Sequence, residues 1–101
     1  MPDSPDRDRR PVGDDELTDR AGRLPAWRLT DDDALLRTWS FPDGVTAAAF
    51  ARFVAALGEA RGKPAVIRQY RGRVTVRLAS PEAGGLTERD FRLAHTLGAV
   101  E

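Results

Sequence analysis

Few side chains in this sequence could move a proton near neutral pH. His95 is the one histidine among 101 residues, and there is no cysteine. The composition therefore excludes disulfide frameworks, thiol nucleophiles, cysteine-ligated zinc or iron–sulfur sites, and a multi-histidine metal site within one chain. Any Ser–His chemistry would have a single imidazole to draw on. The other candidates are Asp90, Glu59 and Lys63. Asp90 stands after Thr87 at a spacing close to that of a capping box, so a helix N-terminus accounts for it as well as a substrate does. Glu59 falls in a long helical stretch, where a glutamate usually faces water. A lysine ammonium releases its proton far above neutrality, so Lys63 would act as a base only in a strongly altered setting. His95 reads as a surface or satisfied core histidine. Asp31, Asp32 and Asp33 lack the spaced oxygen ligands and bidentate glutamate of a calcium loop, and read as a turn.

The formal charge is zero but unevenly spread. Residues 1–20 hold seven acids and four arginines, a net of −3, which leaves +3 for the remainder. From Arg61 to Arg77 there are six basic residues and no acid. Such a block could draw an anionic ligand or an acidic partner, although arginines solvating one face of a strand pair would look the same. Only Tyr70 interrupts it with an aromatic ring, which speaks against nucleic acid. No apolar run approaches the ~20 residues of a membrane span, and the N-terminus has no apolar signal core. The expected setting is the cytoplasm.

The elements that must position these groups form one small domain. Residues 1–16 are expected to be a disordered tail, with the domain at 17–101. Leu17–Leu24 reads as a short helix with Thr18 as its cap and Pro25 as its stop. Trp27–Leu29 and Leu35–Phe41 read as two short strands joined by the acidic turn. Residues 43–61 are the clearest helix, capped by Asp43, with Phe50, Phe53, Val54 and Leu57 as one apolar stripe. Residues 65–70 and 73–79 are strands about an Arg71–Gly72 turn; Val74, Val76 and Leu78 share the face to be buried. Thr87 caps a last helix that carries Asp90, Leu93, Ala94 and Leu97 on one side. The sum is an α+β domain: a four-stranded antiparallel sheet with helices packed on one face and the other face open.

Several stretches together carry a family resemblance. Trp27-Arg28-Leu29, Leu36-Arg37-Thr38 through Phe41-Pro42-Asp43, the helix from Phe50 to Glu59, and above all Leu78-Ala79-Ser80-Pro81-Glu82-Ala83-Gly84-Gly85-Leu86-Thr87-Glu88-Arg89-Asp90 resemble the pterin-4a-carbinolamine dehydratases. The resemblance implies elimination of water from 4a-hydroxytetrahydropterin to give quinonoid dihydropterin, with no metal or organic cofactor. It also implies a His-His-Pro triplet before the third strand, a further histidine after the fourth, and an aspartate on the last helix. The aspartate is Asp90, and Glu59 also matches. The triplet falls on Lys63-Pro64-Ala65 in a gapless register or on Gly62-Lys63-Pro64 when the prolines are aligned. The further histidine falls on Pro81. None of these positions holds an imidazole.

Two functions are therefore expected as alternatives. The first is a family member with lost or repurposed dehydratase activity, serving in binding, assembly or scaffolding or acting on another small molecule. The second is a working dehydratase rebuilt on Lys63, Asp90 and Glu59. Partners implied are a pterin or other small anionic ligand, a protein partner, and further copies of the chain as a homodimer or homotetramer; neither a membrane nor nucleic acid is expected.

Overall fold

The computed structural model describes residues 10–98. In chain order its elements are α1 (Asp14–Gly22), β1 (Arg28–Leu29), β2 (Leu35–Ser40), α2 (Gly44–Ala60), β3 (Val66–Tyr70), β4 (Arg73–Leu78), a 3₁₀ turn (Pro81–Ala83) and α3 (Glu88–Gly98). The strands form one sheet in the order β1-β2-β4-β3, and every neighbouring pair is antiparallel. The expected α+β architecture is the observed one.

Alternation decides which face is buried. Opposite one another in the β2–β4 register stand Leu35 and Leu78, Arg37 and Val76, and Trp39 and Val74. All six are buried beneath the helices. The side chains between them, Thr38, Ser40, Arg73, Thr75 and Arg77, point to the open face, where the Thr38 and Thr75 hydroxyls lie 3.0 Å apart. Trp39 is the centre of the aromatic packing. It meets Trp27 edge-on at 5.8 Å and Phe50 at 4.8 Å, and the Arg37 guanidinium stacks 4.3 Å above its ring.

Asp43 starts α2 as expected: its carboxylate accepts the Thr46 amide at 2.7 Å. That bond holds the Asp43 carboxyl below its ordinary range. The expected apolar stripe needs correction. Ala47, Val54 and Gly58 are the buried residues of α2, and Phe53 is 43% exposed. The small side chains Ala47 and Gly58 let the helix approach closely along their own line, which leaves Phe53 at the margin.

The N-terminal boundary also needs correction. α1 begins at Asp14, and Gly13 precedes it in place of the expected Thr18 cap. The Val12 amide donates to the Leu86 carbonyl at 2.7 Å, and Pro11 bridges to Thr87. Val12 packs on the core beside buried Leu17. The expected tail is thus ordered over residues 10–16; its remainder, residues 1–9, lies outside the described residues.

Both corrections and caps can be checked in solution. A chain beginning at Leu17 loses the Val12 bond and the first turn of α1, and should be less stable by about 2 kcal/mol in urea unfolding. An unchanged midpoint would contradict that docking. Because the folded state lowers the Asp43 pKa, its contribution is complete above the ordinary aspartate value of 3.8 and fades as pH falls through the lower folded value. The difference in melting temperature between the parent and Asp43→Ala should therefore narrow on acidification below that range.

Candidate functional site

Asp90 is the most deeply placed charged side chain among the described residues, with 0% of its surface exposed. It occupies the third position of α3, from which a carboxylate can reach back to the residue that begins the helix. Its Oδ2 accepts three hydrogen bonds: from the Ser80 hydroxyl at 2.6 Å, the Thr87 amide at 2.9 Å and the Thr87 hydroxyl at 3.2 Å. Its Oδ1 makes no hydrogen bond and faces the Lys63 ammonium at 3.5 Å. One oxygen is saturated by the fold, and the other faces Lys63.

Lys63 is the only lysine in the sequence. Local backbone chemistry puts it there. Beyond α2 the Gly62 amide donates to the Glu59 carbonyl at 3.1 Å and the Lys63 amide to the Gly58 carbonyl at 2.8 Å. This paired closure needs a left-handed residue, and Gly62 supplies it at φ +69°. Gly58 is required as well: a Cβ there would come within 2.9 Å of the Lys63 carbonyl. The chain doubles back across the helix end and sends the Lys63 side chain inward, leaving the residue 8% exposed. Its ammonium also donates to the Ala79 carbonyl, just past β4.

A cleft of about 400 Å³ opens over Lys63, walled by Gly62, Lys63, Ser80, Thr87, Glu82 and Arg89, and the buried Asp90 stands behind that wall. An ammonium has three donors and no lone pair, whereas the carboxylate oxygen only accepts. The cleft therefore presents the Lys63 ammonium as a donor beside the Ser80 and Thr87 side chains, while the Asp90 carboxylate holds Lys63 from behind the wall. No three histidine, cysteine, aspartate or glutamate side chains among the described residues are grouped to hold a metal ion.

Of the candidate positions in the sequence, the structure brings together Lys63 and Asp90. Glu59 contributes its carbonyl to the turn, but its residue is exposed and is not part of the cleft wall. Pro64 is exposed. Pro81 opens the 3₁₀ turn and lines a neighbouring hollow with Asp32, Asp33 and Arg77. His95 is exposed and lines another hollow on the outer side of α3. Ser80 is a site residue that sequence reasoning missed. Nothing local marks it, since it meets Asp90 only when the loop after β4 folds against α3. The Thr87–Asp90 spacing did signal their contact.

If this joint carries the geometry, Asp90→Ala should cost about 3 kcal/mol or more, because Lys63, Ser80 and the Thr87 amide all lose their acceptor. Ser80→Ala should cost about 2 kcal/mol, in line with a bond to a charged group. Glu59→Ala should stay within about 0.5 kcal/mol of the parent. Urea unfolding of the three variants checks the ranking, and comparable losses at Glu59 and Asp90 would contradict it.

Comparison with known proteins places this geometry among relatives. Residues 10–100 match the family described as pterin 4 alpha carbinolamine dehydratase. A Chloroflexus aggregans protein named "Putative pterin-4-alpha-carbinolamine dehydratase" is 35% identical over 85 residues, covering 84% of this chain and 90% of that one. An Acidobacterium capsulatum protein of the same name is 39% identical over 84 residues, covering 83% and 90%. The crystal structure of a transcriptional coactivator/pterin dehydratase from Brucella melitensis superposes with a TM-score of 0.80 at 27% identity, covering 88% of this chain and 96% of that one.

Proposed function

The chain belongs to the pterin 4 alpha carbinolamine dehydratase family, and from that premise we propose that its Lys63–Asp90 cleft binds a reduced pterin or a similar polar heterocycle while the dehydration itself is lost or much slowed. The observation that carries this reading is the ammonium 3.5 Å from Asp90 at the position where the resemblance expects an imidazole. Elimination of water needs one group to take a proton from a ring nitrogen and another to protonate the departing hydroxyl. Imidazole does both because it titrates near neutral pH. Lys63, held between a carbonyl and a carboxylate, is built to donate. The cleft then orients a ligand through Lys63, which the buried Asp90 holds in place, and the protein serves in binding or assembly. Its setting is the cytoplasm, and copies of the chain associate as a homodimer or homotetramer.

The same pair supports a second reading, a working dehydratase with a rebuilt site. Asp90 Oδ1 takes the ring N–H proton, and the nitrogen's electron pair forms the C=N bond. The C4a–O bond breaks, and Lys63 protonates the leaving hydroxyl. Transfer from Asp90 to Lys63 then restores both groups. Glu59 has no place in this scheme, since it is exposed and outside the cleft wall, whereas Asp90 faces Lys63 at 3.5 Å.

Stopped-flow decay of 4a-hydroxytetrahydropterin separates the readings. A positioned acid or base contributes roughly 10²–10⁴-fold. The unmodified protein should stay within about tenfold of the uncatalysed rate, well short of that contribution. Lys63→His with Pro81→His restores imidazole at the two positions common to both registers and should raise the rate. Acceleration beyond about 100-fold by the unmodified protein, abolished in Lys63→Ala, would establish the rebuilt dehydratase instead.

A further inference from the structure

The basic stretch between Arg61 and Arg77 divides by the pleat of the sheet. Lys63 turns into the cleft, whereas Arg68, Arg73 and Arg77 stand on the open sheet face. The register fixes this. Arg77 faces Leu36 on one side and Val66 on the other, and Arg28 faces Leu36 from β1. Paired residues share a face, as does every second residue along a strand. Arg28, Arg68, Arg73 and Arg77 therefore all project away from the helices. None of the four strands contains an acidic residue.

One of these four charges is answered: Asp32, in the turn between β1 and β2, holds Arg77 at 2.5 Å. Arg28, Arg68 and Arg73 form no ion pair among the described residues. Arg68 stands opposite Thr75 and Tyr70 opposite Arg73, so Arg68 and Arg73 are diagonal neighbours across β3 and β4. With Gln69, Tyr70 and Thr75 they line a hollow of about 570 Å³. Tyr70 is 70% exposed, and the Arg71 guanidinium lies 5.3 Å from its ring. An open sheet face requires polar side chains, not charges of one sign. Opposite charges across a ladder stabilise a sheet, and like charges weaken it. A face whose charged residues are all arginines forgoes that gain, and it is complementary to an anionic partner.

We infer that this face docks an acidic, extended peptide segment of another protein. The segment runs along the β3–β4 pair. In an extended chain every second side chain falls on one side at intervals of about 6.7 Å, which is also the repeat of Arg73, Thr75 and Arg77 along β4. Carboxylates on alternate residues therefore reach Arg68 and Arg73 together. The hollow is lined by sheet residues alone, so it does not enclose a small molecule as ligand pockets do. Two copies of this face would set arginine against arginine. Tyr70 is the one aromatic side chain on it, too few for the stacking platform that binds single-stranded nucleic acid. The inference does not depend on the Lys63 cleft or its ligand.

Calorimetric titration of the full chain at low ionic strength tests it with three probes: an alternating glutamate–threonine decapeptide, its glutamine–threonine counterpart and a thymidine decanucleotide. An exposed ion pair contributes up to about fivefold in affinity, so two or more should make the acidic peptide bind about tenfold tighter than the neutral one. Arg68→Glu and Arg73→Glu should each weaken it about fivefold or more, because each removes an attraction and adds a repulsion. Arg52→Glu, the same charge change on exposed α2, should leave it within about twofold. Thermal melting checks that the variants remain folded. Absence of binding, or equal binding of the neutral peptide, would overturn the inference. Equal losses in Arg52→Glu and Arg68→Glu would replace the site by diffuse attraction. Tighter binding of the oligonucleotide would give the face to nucleic acid, and self-association abolished by Arg68→Glu would give it to a second copy; each of these results would overturn it as well.

Discussion

The Asp90 carboxylate is completely buried, and a buried charge persists only where the fold answers it. Much of this small domain is arranged to do so. Ser80 comes from the segment after β4, Thr87 from the residue before α3, and Lys63 from the turn after α2. Three ends of secondary structure therefore meet at one oxygen pair. Lys63 arrives only because Gly62 adopts a left-handed backbone and Gly58 leaves room for the returning chain. The joint that closes the fold is also the wall of the cleft, so the chemistry offered to a ligand is set by how Asp90 is satisfied.

The division of labour between the two carboxylate oxygens has a functional consequence. Oδ2 is committed to three donors, while Oδ1 has no hydrogen bond and only the more distant ammonium. Oδ1 therefore serves to hold the Lys63 ammonium at the cleft wall. The side chain facing this oxygen is the Lys63 ammonium, a donor with no lone pair.

Local patterning made much of this fold legible. Strict alternation from Arg73 to Leu78 named the buried face of the central strand, and Asp43 marked the start of the long helix. The Thr87–Asp90 spacing marked the start of the last one. Features set by three-dimensional approach were not legible in the same way. Phe53 read as core, but the helix lies on its smaller residues. The ordering of residues 10–16 depends on a backbone bond between Val12 and Leu86, which no composition rule reports. At the site, the resemblance matched Asp90 and Glu59 and set Lys63 and Pro81 at histidine positions; the helical setting of Glu59 already favoured solvent, but nothing in the sequence put Lys63 against Asp90. Ser80 was invisible because its role exists only where the loop after β4 touches α3.

The central claim is that the Lys63 ammonium, held by the buried Asp90 carboxylate, is the ligand-recognition group of the cleft. A crystal structure of the protein soaked with a reduced pterin analogue tests it most directly. The account predicts ligand density in this cleft, with a ring or carbonyl acceptor on Lys63 Nζ. A ligand seated elsewhere, or a saturated crystal with this cleft still empty and the Lys63–Asp90 pair undisturbed, would contradict it.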